Sequence, residues 1–173
     1  EFRRVLFRSV LYPQYREDIA REVETSGTLV DNEHAIAFAQ EVRRLSPFVP
    51  MLPAFAREDF EWEGHQIKEG QRVIIDILGT NTDPNEWEEP LRFKPERFLG
   101  VEDAEAIKAF IPQGGGDVAT GHRCPGEKVA VTELAATVSA LCQPGINIDP
   151  GDLDYDPTLM PTRPRSGGRV QKD

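Results

Sequence analysis

The sequence has little of what several classes of protein require. Its 173 residues include two cysteines, which make no disulfide framework, so a reducing, cytoplasmic setting is predicted. It has 20 basic residues against 30 acidic ones, and therefore no basic excess with which to bind nucleic acid or an anionic membrane surface. No apolar run approaches the ~18 residues of a membrane span, and no signal peptide is evident.

The usual zinc-binding and phosphate-binding motifs are also missing. There is no Cys-x-x-Cys pair, and the other candidate zinc ligands are scattered along the chain: His34, His65, His122 and Cys142. Gly116 and Gly121 have the spacing of a phosphate-binding loop, but His122-Arg123 follow where that loop needs Lys and then Ser or Thr. Zinc is therefore poorly supported, and the phosphate loop fails.

What the sequence does contain is a glycine-rich stretch around one cysteine. Residues 113–127 read Gln-Gly-Gly-Gly-Asp-Val-Ala-Thr-Gly-His-Arg-Cys-Pro-Gly-Glu, with four glycines before Cys124 and one after Pro125. Glycine lets a backbone turn tightly and approach a flat ligand closely, because no Cβ atom stands in the way. Cys124 is therefore the residue whose role needs explaining.

A helix is predicted to begin directly after Cys124. Pro125 suits the first position of a helix, and apolar residues recur at three- and four-residue spacing from about Gly126 to Cys142. Cys124 is then expected beside the helix N-terminus, where free N–H groups and the macrodipole stabilise a thiolate. Arg123 adds a positive neighbour.

The residues alone leave four roles open for Cys124: a nucleophile, a zinc ligand, a haem ligand or an inert core thiol, the last being ordinary for a lone cysteine. The haem interpretation gives every neighbour a function. The thiolate would be the axial iron ligand and would favour O–O bond cleavage. Gly126 would let the porphyrin lie close to the backbone, and His122 would reach a propionate.

This loop resembles the cysteine loop of the cytochrome P450 superfamily. The usual pattern is Phe-x-x-Gly-x-Arg-x-Cys-x-Gly, and three positions differ here: Asp117 replaces Phe, Thr120 replaces the first Gly, and His122 replaces Arg. The variant Pro-Gln-Gly-Gly-Gly at 112–116, followed by Gly-His-Arg-Cys-Pro-Gly-Glu at 121–127, is similar to the bacterial fatty-acid peroxygenase branch. These oxidoreductases hydroxylate fatty acids and use hydrogen peroxide directly.

The resemblance implies a mainly α-helical fold with a small β-sheet, holding haem b through the iron ligand Cys124. It implies that the haem-binding residues are Gln113, Gly114, His122, Arg123, Cys124 and Gly126. Two alternatives stay open: a partner-dependent monooxygenase, which takes electrons from a redox partner, and a non-catalytic acidic domain. The Arg-Pro pair that anchors the fatty-acid carboxylate in the peroxygenase branch is expected upstream of residue 1.

Two other segments belong to the same resemblance. Glu41 and Arg44 stand one turn apart on a predicted helix, and Pro-Glu-Arg-Phe follows with Arg97. Taken alone, Glu41 and Arg44 make an ordinary i, i+3 surface pair; the family order implies that the three residues form a buried charge network supporting the haem pocket. The apolar, proline-rich segment 46–55 packs a core in the simplest interpretation; in the family it passes the haem face, so Phe48 and Met51 are expected to line the substrate pocket.

The chain is long enough for one domain with a real core. Residues 1–9 look foreign to the rest of the chain and are expected to be an adapter-derived leader, leaving 10–173 as the C-terminal fragment of a single haem-thiolate domain. In chain order, the predicted elements are a helix at 13–24, a helix at 31–45 capped by Asp31, a hairpin pairing 59–62 with 72–77 around a loop containing His65, a short helix at 79–84, a helix at 104–110, a strand at 146–149 and a hairpin at 159–170.

Overall fold

A buried helix lies at the centre of the fold. The structure, a computed structural model, describes residues 2–149 and 169–172. Within these residues the helices are α1 (Phe2–Leu11), α2 (Arg16–Ser26), α3 (Glu33–Leu45), α4 (Ile77–Asn81) and α5 (Glu127–Leu141). The strands are β1 (Met51–Phe55), β2 (Phe60–Trp62), β3 (His65–Ile67), β4 (Arg72–Asp76), β5 (Ile146–Asp149) and β6 (Arg169–Lys172). The mainly helical class with small sheets, predicted from the sequence, is confirmed.

Helix α3 is the central one. Every residue from Ala37 to Arg44 is buried, because α3 packs against α5 and against a 3₁₀ turn at Pro95–Phe98. The main core joins apolar side chains of α3 and α5: Phe38, Val42, Leu134 and Val138. The helix therefore connects the region of the Pro-Glu-Arg-Phe motif to the helix that follows the cysteine loop.

Helix α1 overlaps the stretch that the sequence pattern marked as a leader. Its Val5 is fully buried and belongs to the same core as α3 and α5. The exclusion of residues 1–9 from the fold thus missed a packed helix. The origin of these residues is a separate matter, and the leader stays a prediction.

The ends of α2 and α3 follow local rules, with one correction. Gly27 ends α2 in the left-handed region at φ 68°, as expected for a glycine at this position. Asp31 does not cap α3: its own φ is 62°, and the N-cap residue is Asn32. A carboxylate from the neighbouring helix takes over, since Glu22 Oε2 accepts a hydrogen bond from the backbone N–H of His34 at 2.9 Å.

The predicted pairing of residues 59–62 with 72–77 is wrong. β2 pairs with β3 through the two-residue turn Glu63-Gly64, so His65 lies in a strand and not in a loop. β4 pairs instead with the proline-rich strand β1, Met51 opposite Asp76. Pro53 is tolerated because each strand of a two-stranded sheet has a free edge.

The remaining predictions came out unevenly. The strand at 146–149 is confirmed as β5, which pairs with β6; the rest of the expected terminal hairpin lies outside the described residues. The predicted helix at 104–110 is reduced to one 3₁₀ turn at Ala104–Ala106. None of the helices in the described part of the chain has the length and apolar character needed to cross a membrane.

Candidate cofactor-binding site

The glycine-rich stretch forms a loop closed by its own backbone. The amide of Cys124 donates to the carbonyl of Gln113 at 3.0 Å, and the amide of His122 donates to Gly115 O at 3.1 Å. These bonds bring the cysteine back beside the residue that begins the loop, eleven positions earlier in the sequence. Cys124 is partly exposed and is a free thiol.

Glycine is needed at position 114 for a reason that the sequence pattern did not reveal. Gly114 has φ 90°, and a Cβ atom built on it would lie 1.9 Å from the carbonyl oxygen of His122. The backbone carbonyl of His122 therefore occupies the space that a side chain at position 114 would need. The absence of a Cβ atom at this glycine serves the chain's own backbone crossing and not only a ligand's approach.

Asp117, which stands where the family pattern has Phe, organises the outer turn of the loop. Its Oδ1 accepts from the amides of Ala119 at 2.8 Å and Thr120 at 3.0 Å, and from the Thr120 hydroxyl at 3.2 Å. Its carbonyl accepts from the amide of Gly121 at 2.8 Å. An aromatic side chain could not make these bonds, so the departure from the pattern changes how this turn is held.

These bonds make the turn sensitive to acid. Hydrogen bonds from Ala119 and Thr120 favour the carboxylate and lower the pKa of Asp117 below its ordinary value. Since the folded-state pKa is the lower one, this contribution to stability is present above the ordinary Asp pKa and is lost as the pH falls through the folded-state value. We expect the Ala119 and Thr120 amides to exchange faster with solvent in acid, relative to the Gly27 amide, once exchange rates are corrected for intrinsic chemistry. Asp117→Asn should show no such acid response; an equal response in both proteins would contradict this role.

Arg123 is committed to the loop. Its Nε donates to Gly116 O at 3.0 Å, its Nη2 donates to Glu105 O at 3.1 Å, and its Nη1 lies 2.9 Å from Glu105 Oε2. The same Nη1 lies 3.7 Å from Glu127 Oε2. The His122 side chain, in contrast, is exposed. Of the two basic residues beside Cys124, His122 is the one directed to the outside of the loop.

Cys124 lies at the N-terminal end of α5, as its sequence position predicted. Gly126 is the N-cap residue, and the amide of Glu127 donates to the carbonyl of Cys124 at 3.2 Å. The other cysteine is of a different kind: burial raises the pKa of the Cys142 thiol to about 11, although Arg16 opposes the shift. Cys142 stays a buried thiol, so Cys124 is the candidate ligand.

The structure brings Glu41, Arg44 and Arg97 together. Arg44 Nε and Nη2 donate to the two carboxylate oxygens of Glu41 at 2.7 and 2.8 Å, and both side chains are fully buried. Arg97 Nε lies 3.5 Å from Glu41 Oε1, and its Nη2 donates to Glu89 O at 2.9 Å. The Lys94 amide also donates to Glu41 Oε1, at 2.9 Å. The buried Glu41 carboxylate thus lies close to two guanidinium groups, those of Arg44 and Arg97, which are far apart in the sequence.

Sequence reasoning missed three polar residues that support these groups. Asn81 is fully buried: its carbonyl accepts from Arg44 at 2.8 Å, and its Oδ1 accepts from the amide of Ile111, just before the loop, at 2.8 Å. Arg43 and Glu127 form a buried ion pair between α3 and α5. No signal in the sequence identified Arg43 as buried, since it is one of six polar or charged residues among the thirteen of α3.

Phe48 and Met51, the expected pocket residues, are exposed, unlike the buried network. Phe48 keeps 51% of its surface exposed and Met51 keeps 44%. Between them, Pro50 O accepts from the amides of Ile77 and Leu78 at 3.0 and 3.1 Å, which fixes the path of the segment. Other apolar side chains of the β1–β4 sheet are also exposed: Phe55, Ile74 and Ile75.

The residues around Cys124 fit a haem. A single free thiol, partly exposed at the N-terminal end of a helix, is the donor that an axial thiolate requires. A Cβ atom on Gly126 would stand 3.8 Å from Cys124 Sγ, so a longer side chain there would extend beside the sulfur; glycine keeps that space open. Gln113 Oε1 is buried with no hydrogen-bond partner among the described residues, which leaves an acceptor free beside the cysteine.

Comparison with protein-family models and with curated proteins matches this chain to cytochromes P450 in both cases. The family model for cytochrome P450 matches residues 35–143. The tabersonine/lochnericine 19-hydroxylase of Catharanthus roseus is 34% identical over 156 residues, 86% of this chain and 30% of that protein. A cytochrome P450 monooxygenase of Rhodocybe pseudopiperita is 36% identical over 113 residues, 61% of this chain and 21% of that protein.

Solved structures match over almost the whole chain. Ligand-free cytochrome P450 OleT is 35% identical with a TM-score of 0.78, covering 99% of this chain and 40% of OleT; a variant of OleT in complex with arachidonic acid has the same identity, TM-score and coverage. Cytochrome P450EX alpha with myristic acid is 38% identical with a TM-score of 0.73, covering 98% of this chain and 40% of that protein. The chain therefore spans well under half the length of these relatives.

Proposed function

Because this chain belongs to the cytochrome P450 family, we propose that it forms the haem-thiolate part of a fatty-acid peroxygenase, with Cys124 as the axial ligand of haem b. The observation that carries the proposal is the position of Cys124: a free, partly exposed thiol, held by a closed loop at the N-terminal end of α5. Helix N-termini stabilise negative charge, and a thiolate is the ligand required.

The residues around the sulfur have distinct parts in holding the cofactor. The exposed His122 side chain would reach a haem propionate, and Gly126 would let the porphyrin lie close to the backbone. Arg123, tied to Glu105 and Gly116, keeps the loop in shape. When bound, the haem supplies the oxidising chemistry; the chain's own residues position it and limit how far the sulfur can move.

The substrate proposal is a fatty acid oxidised with hydrogen peroxide. In the net reaction a C–H bond and the peroxide O–O bond break; one peroxide oxygen forms the new C–O bond of the hydroxylated acyl chain, and the other leaves as water with the hydrogen that balances the C–H bond. Two structures similar to this chain contain fatty acids, myristic acid in P450EX alpha and arachidonic acid in the OleT variant. The peroxide proposal rests on the resemblance of the 112–127 loop to the peroxygenase branch.

The test uses a complete protein that carries this chain, myristic acid and hydrogen peroxide, with no reductase and no nicotinamide cofactor. We expect hydroxylated myristate by mass spectrometry, with peroxide consumed in step with product. The partner-dependent monooxygenase is the second candidate, because one relative, 36% identical over 61% of this chain, is named a cytochrome P450 monooxygenase. Product formed only with a reductase, a nicotinamide cofactor and dioxygen would establish that candidate and overturn the peroxygenase.

Phe48 offers a test of the pocket. We propose that its half-exposed ring contacts the acyl chain, so Phe48→Ala should change the position at which myristate is hydroxylated or shift the haem absorption on adding myristate. Val129→Ala, a change at an exposed apolar position on α5, is the control. Unchanged product ratio and unchanged spectrum in the Phe48 variant would remove Phe48 from the pocket.

We propose a cytoplasmic location for the protein, since its two cysteines are unpaired. We also expect the 173-residue chain to bind haem weakly and to show no turnover when produced alone, because it covers only 40% of the P450 chain that it matches. A stable ferrous carbonyl band near ~450 nm from this chain alone, the signature of thiolate ligation in a formed pocket, would contradict that expectation.

A further inference from the structure

A buried ion pair joins α3 to the helix that follows the cysteine. Arg43 Nη2 donates to Glu127 Oε1, and the two side chains are 2% and 5% exposed. The partners are 84 positions apart in the sequence. This pair is separate from the Glu41–Arg44–Arg97 network, since Arg43 and Arg44 are consecutive on α3 and contact different carboxylates.

The surroundings of the pair hold it in one arrangement. Arg43 Nη1 donates to Gln40 Oε1 one turn earlier on α3, and its guanidinium lies 5.5 Å from the ring centre of Phe110. On the other side, Arg123 Nη1 lies 3.7 Å from the second oxygen of Glu127. The Glu127 carboxylate therefore lies between one guanidinium from α3 and one from the cysteine loop.

Glu127 is also bonded directly to the cysteine backbone. Its amide donates to the carbonyl of Cys124 at 3.2 Å, and it is the first residue of α5. Because the Glu127 carboxylate is held by the buried pair, it restrains the first turn of α5 and, through the Glu127 amide, the carbonyl of Cys124. Contacts from the buried helix α3 thus restrain the position of the Cys124 sulfur.

We propose that Arg43 is a positioning residue for the haem ligand: through its buried ion pair with Glu127 it fixes the first turn of α5 and, with it, Cys124. The proposal rests on the proposed role of Cys124. Removing one partner of a buried pair leaves the other charge without compensation, whereas removing both removes that penalty. Arginine's planar fork is also not replaced by a lysine ammonium. The four variants that test this role are Arg43→Gln, Glu127→Gln, the double variant and Arg43→Lys.

Amide hydrogen exchange of the 173-residue chain, which needs no haem, is the first test. In Arg43→Gln the amides of Cys124 and Glu127 should exchange about tenfold faster, while the Gly27 amide at the end of α2 changes little, because the opening is local. The double variant should be closer to the parent than Arg43→Gln is, and Arg43→Lys should lie between. Arg21→Gln, which breaks an exposed pair with Asp18, should leave all three amides unchanged.

Two outcomes would overturn the proposal. One is a uniform acceleration at Gly27 and at the loop amides alike, which would mean that Arg43 contributes to global stability only. The other is no change at Cys124 and Glu127. If Arg43→Gln fails to fold, the double variant is compared with Glu127→Gln instead. The coupling then requires the Cys124 and Glu127 amides to exchange no faster in the double variant than in Glu127→Gln.

A second readout separates this proposal from the proposed function. In a complete protein that carries this chain, Arg43→Gln should weaken the ferrous carbonyl band near ~450 nm as thiolate ligation is lost, and the double variant should recover much of it. A parent protein with no ~450 nm band would refute the ligand role of Cys124 itself. A parent band that Arg43→Gln leaves unchanged would refute the positioning role alone.

Discussion

Replacing Arg44 by alanine should lower the free energy of unfolding by about 3–5 kcal/mol, the range for breaking a buried ion pair by removing one partner. Arg44 uses its guanidinium fully. Besides its two bonds to Glu41, Nη1 donates to the carbonyls of Asn81 and Pro90 at 2.8 and 2.7 Å, and Nη2 donates to Arg92 O at 3.3 Å. Alanine would leave a fully buried carboxylate with one less cation, and three carbonyls without this donor.

The guanidinium also substitutes for regular structure. Residues 83–94 contain neither a helix nor a strand, and their carbonyls at positions 90 and 92 meet the same side chain. Arg44 also lies over the ring of Trp87, 4.9 Å from its centre. In Arg44→Ala we therefore expect residues 83–94 to lose their fixed structure first, because this segment loses both the hydrogen bonds from the guanidinium and the packing of that group against Trp87.

Urea unfolding followed by circular dichroism measures the effect. The matched control is Arg21→Ala, which breaks another i, i+3 pair, with Asp18, in a helix where both side chains are exposed; its cost should be at most about 1 kcal/mol. Arg44→Lys should fall between, since lysine keeps the charge and loses the fork. Equal losses for Arg44→Ala and Arg21→Ala would contradict the proposed importance of the buried network.

Among single glycine-to-alanine replacements in the loop, Gly114→Ala should cause the largest loss of stability. A non-glycine residue in the left-handed region costs about 1–3 kcal/mol, and here the new Cβ atom would also meet His122 O at 1.9 Å. Because the obstacle is backbone, relief requires the Gln113–Cys124 crossing to open. We expect the loss of stability to exceed that range and the loop to lose its fixed position.

Gly100→Ala separates the two causes. Gly100 has φ 72°, and a Cβ atom built on it meets nothing within 4 Å, so its substitution carries the conformational cost without the clash. The difference in unfolding free energy between the two variants, measured in urea, reports the clash at Gly114. A difference near zero would mean that the loop moves aside freely, which the closed hydrogen bonding of residues 113–124 does not allow.

The sequence predicted the longer helices α2, α3 and α5 well, whereas it missed α1 and overextended the 3₁₀ turn at Ala104–Ala106. Gly27 ends α2, and the prolines at 47 and 50 follow the end of α3, because each of these signals acts within a few residues. The spacing of apolar residues that predicted α5 corresponds to its buried positions Leu134, Val138 and Leu141. Where a competing local conformation existed, as at Asp31 with its positive φ, the capping rule pointed to the wrong residue.

Strand pairing could not be predicted as well, because it depends on which segments meet. The β2–β3 hairpin turns at Glu63 and Gly64, whose φ values of 47° and 79° are the two positive values of a type I′ turn. The sequence signal for this turn is weak, because Glu-Gly is not one of the Asn-Gly, Asp-Gly or Gly-Gly pairs that usually form it. The pairing of β1 with β4 joins residues on either side of that hairpin. A proline-rich segment gives little reason to expect it, and only the folded arrangement reveals it.

The candidate site likewise has a part that could be predicted from the sequence and a part that could not. The loop, its cysteine and the following helix are contiguous in the sequence, so their arrangement was predictable from the stretch 113–127. The contacts that hold the loop in place come from far away, from Glu105, Asn81 and Arg43. No spacing rule connects Arg43 to Glu127, because their contact exists only after α3 and α5 pack together.

The most direct test of the central claim, that Cys124 is a haem thiolate ligand, is the ferrous carbonyl spectrum of a complete protein that carries this chain, compared with its Cys124→Ser variant. Cys142→Ser, at the buried thiol, is the matched control. We predict a band near ~450 nm in the parent and in Cys142→Ser, and its complete loss in Cys124→Ser, because thiolate ligation produces that band. A band near ~450 nm that persists in Cys124→Ser would contradict the claim.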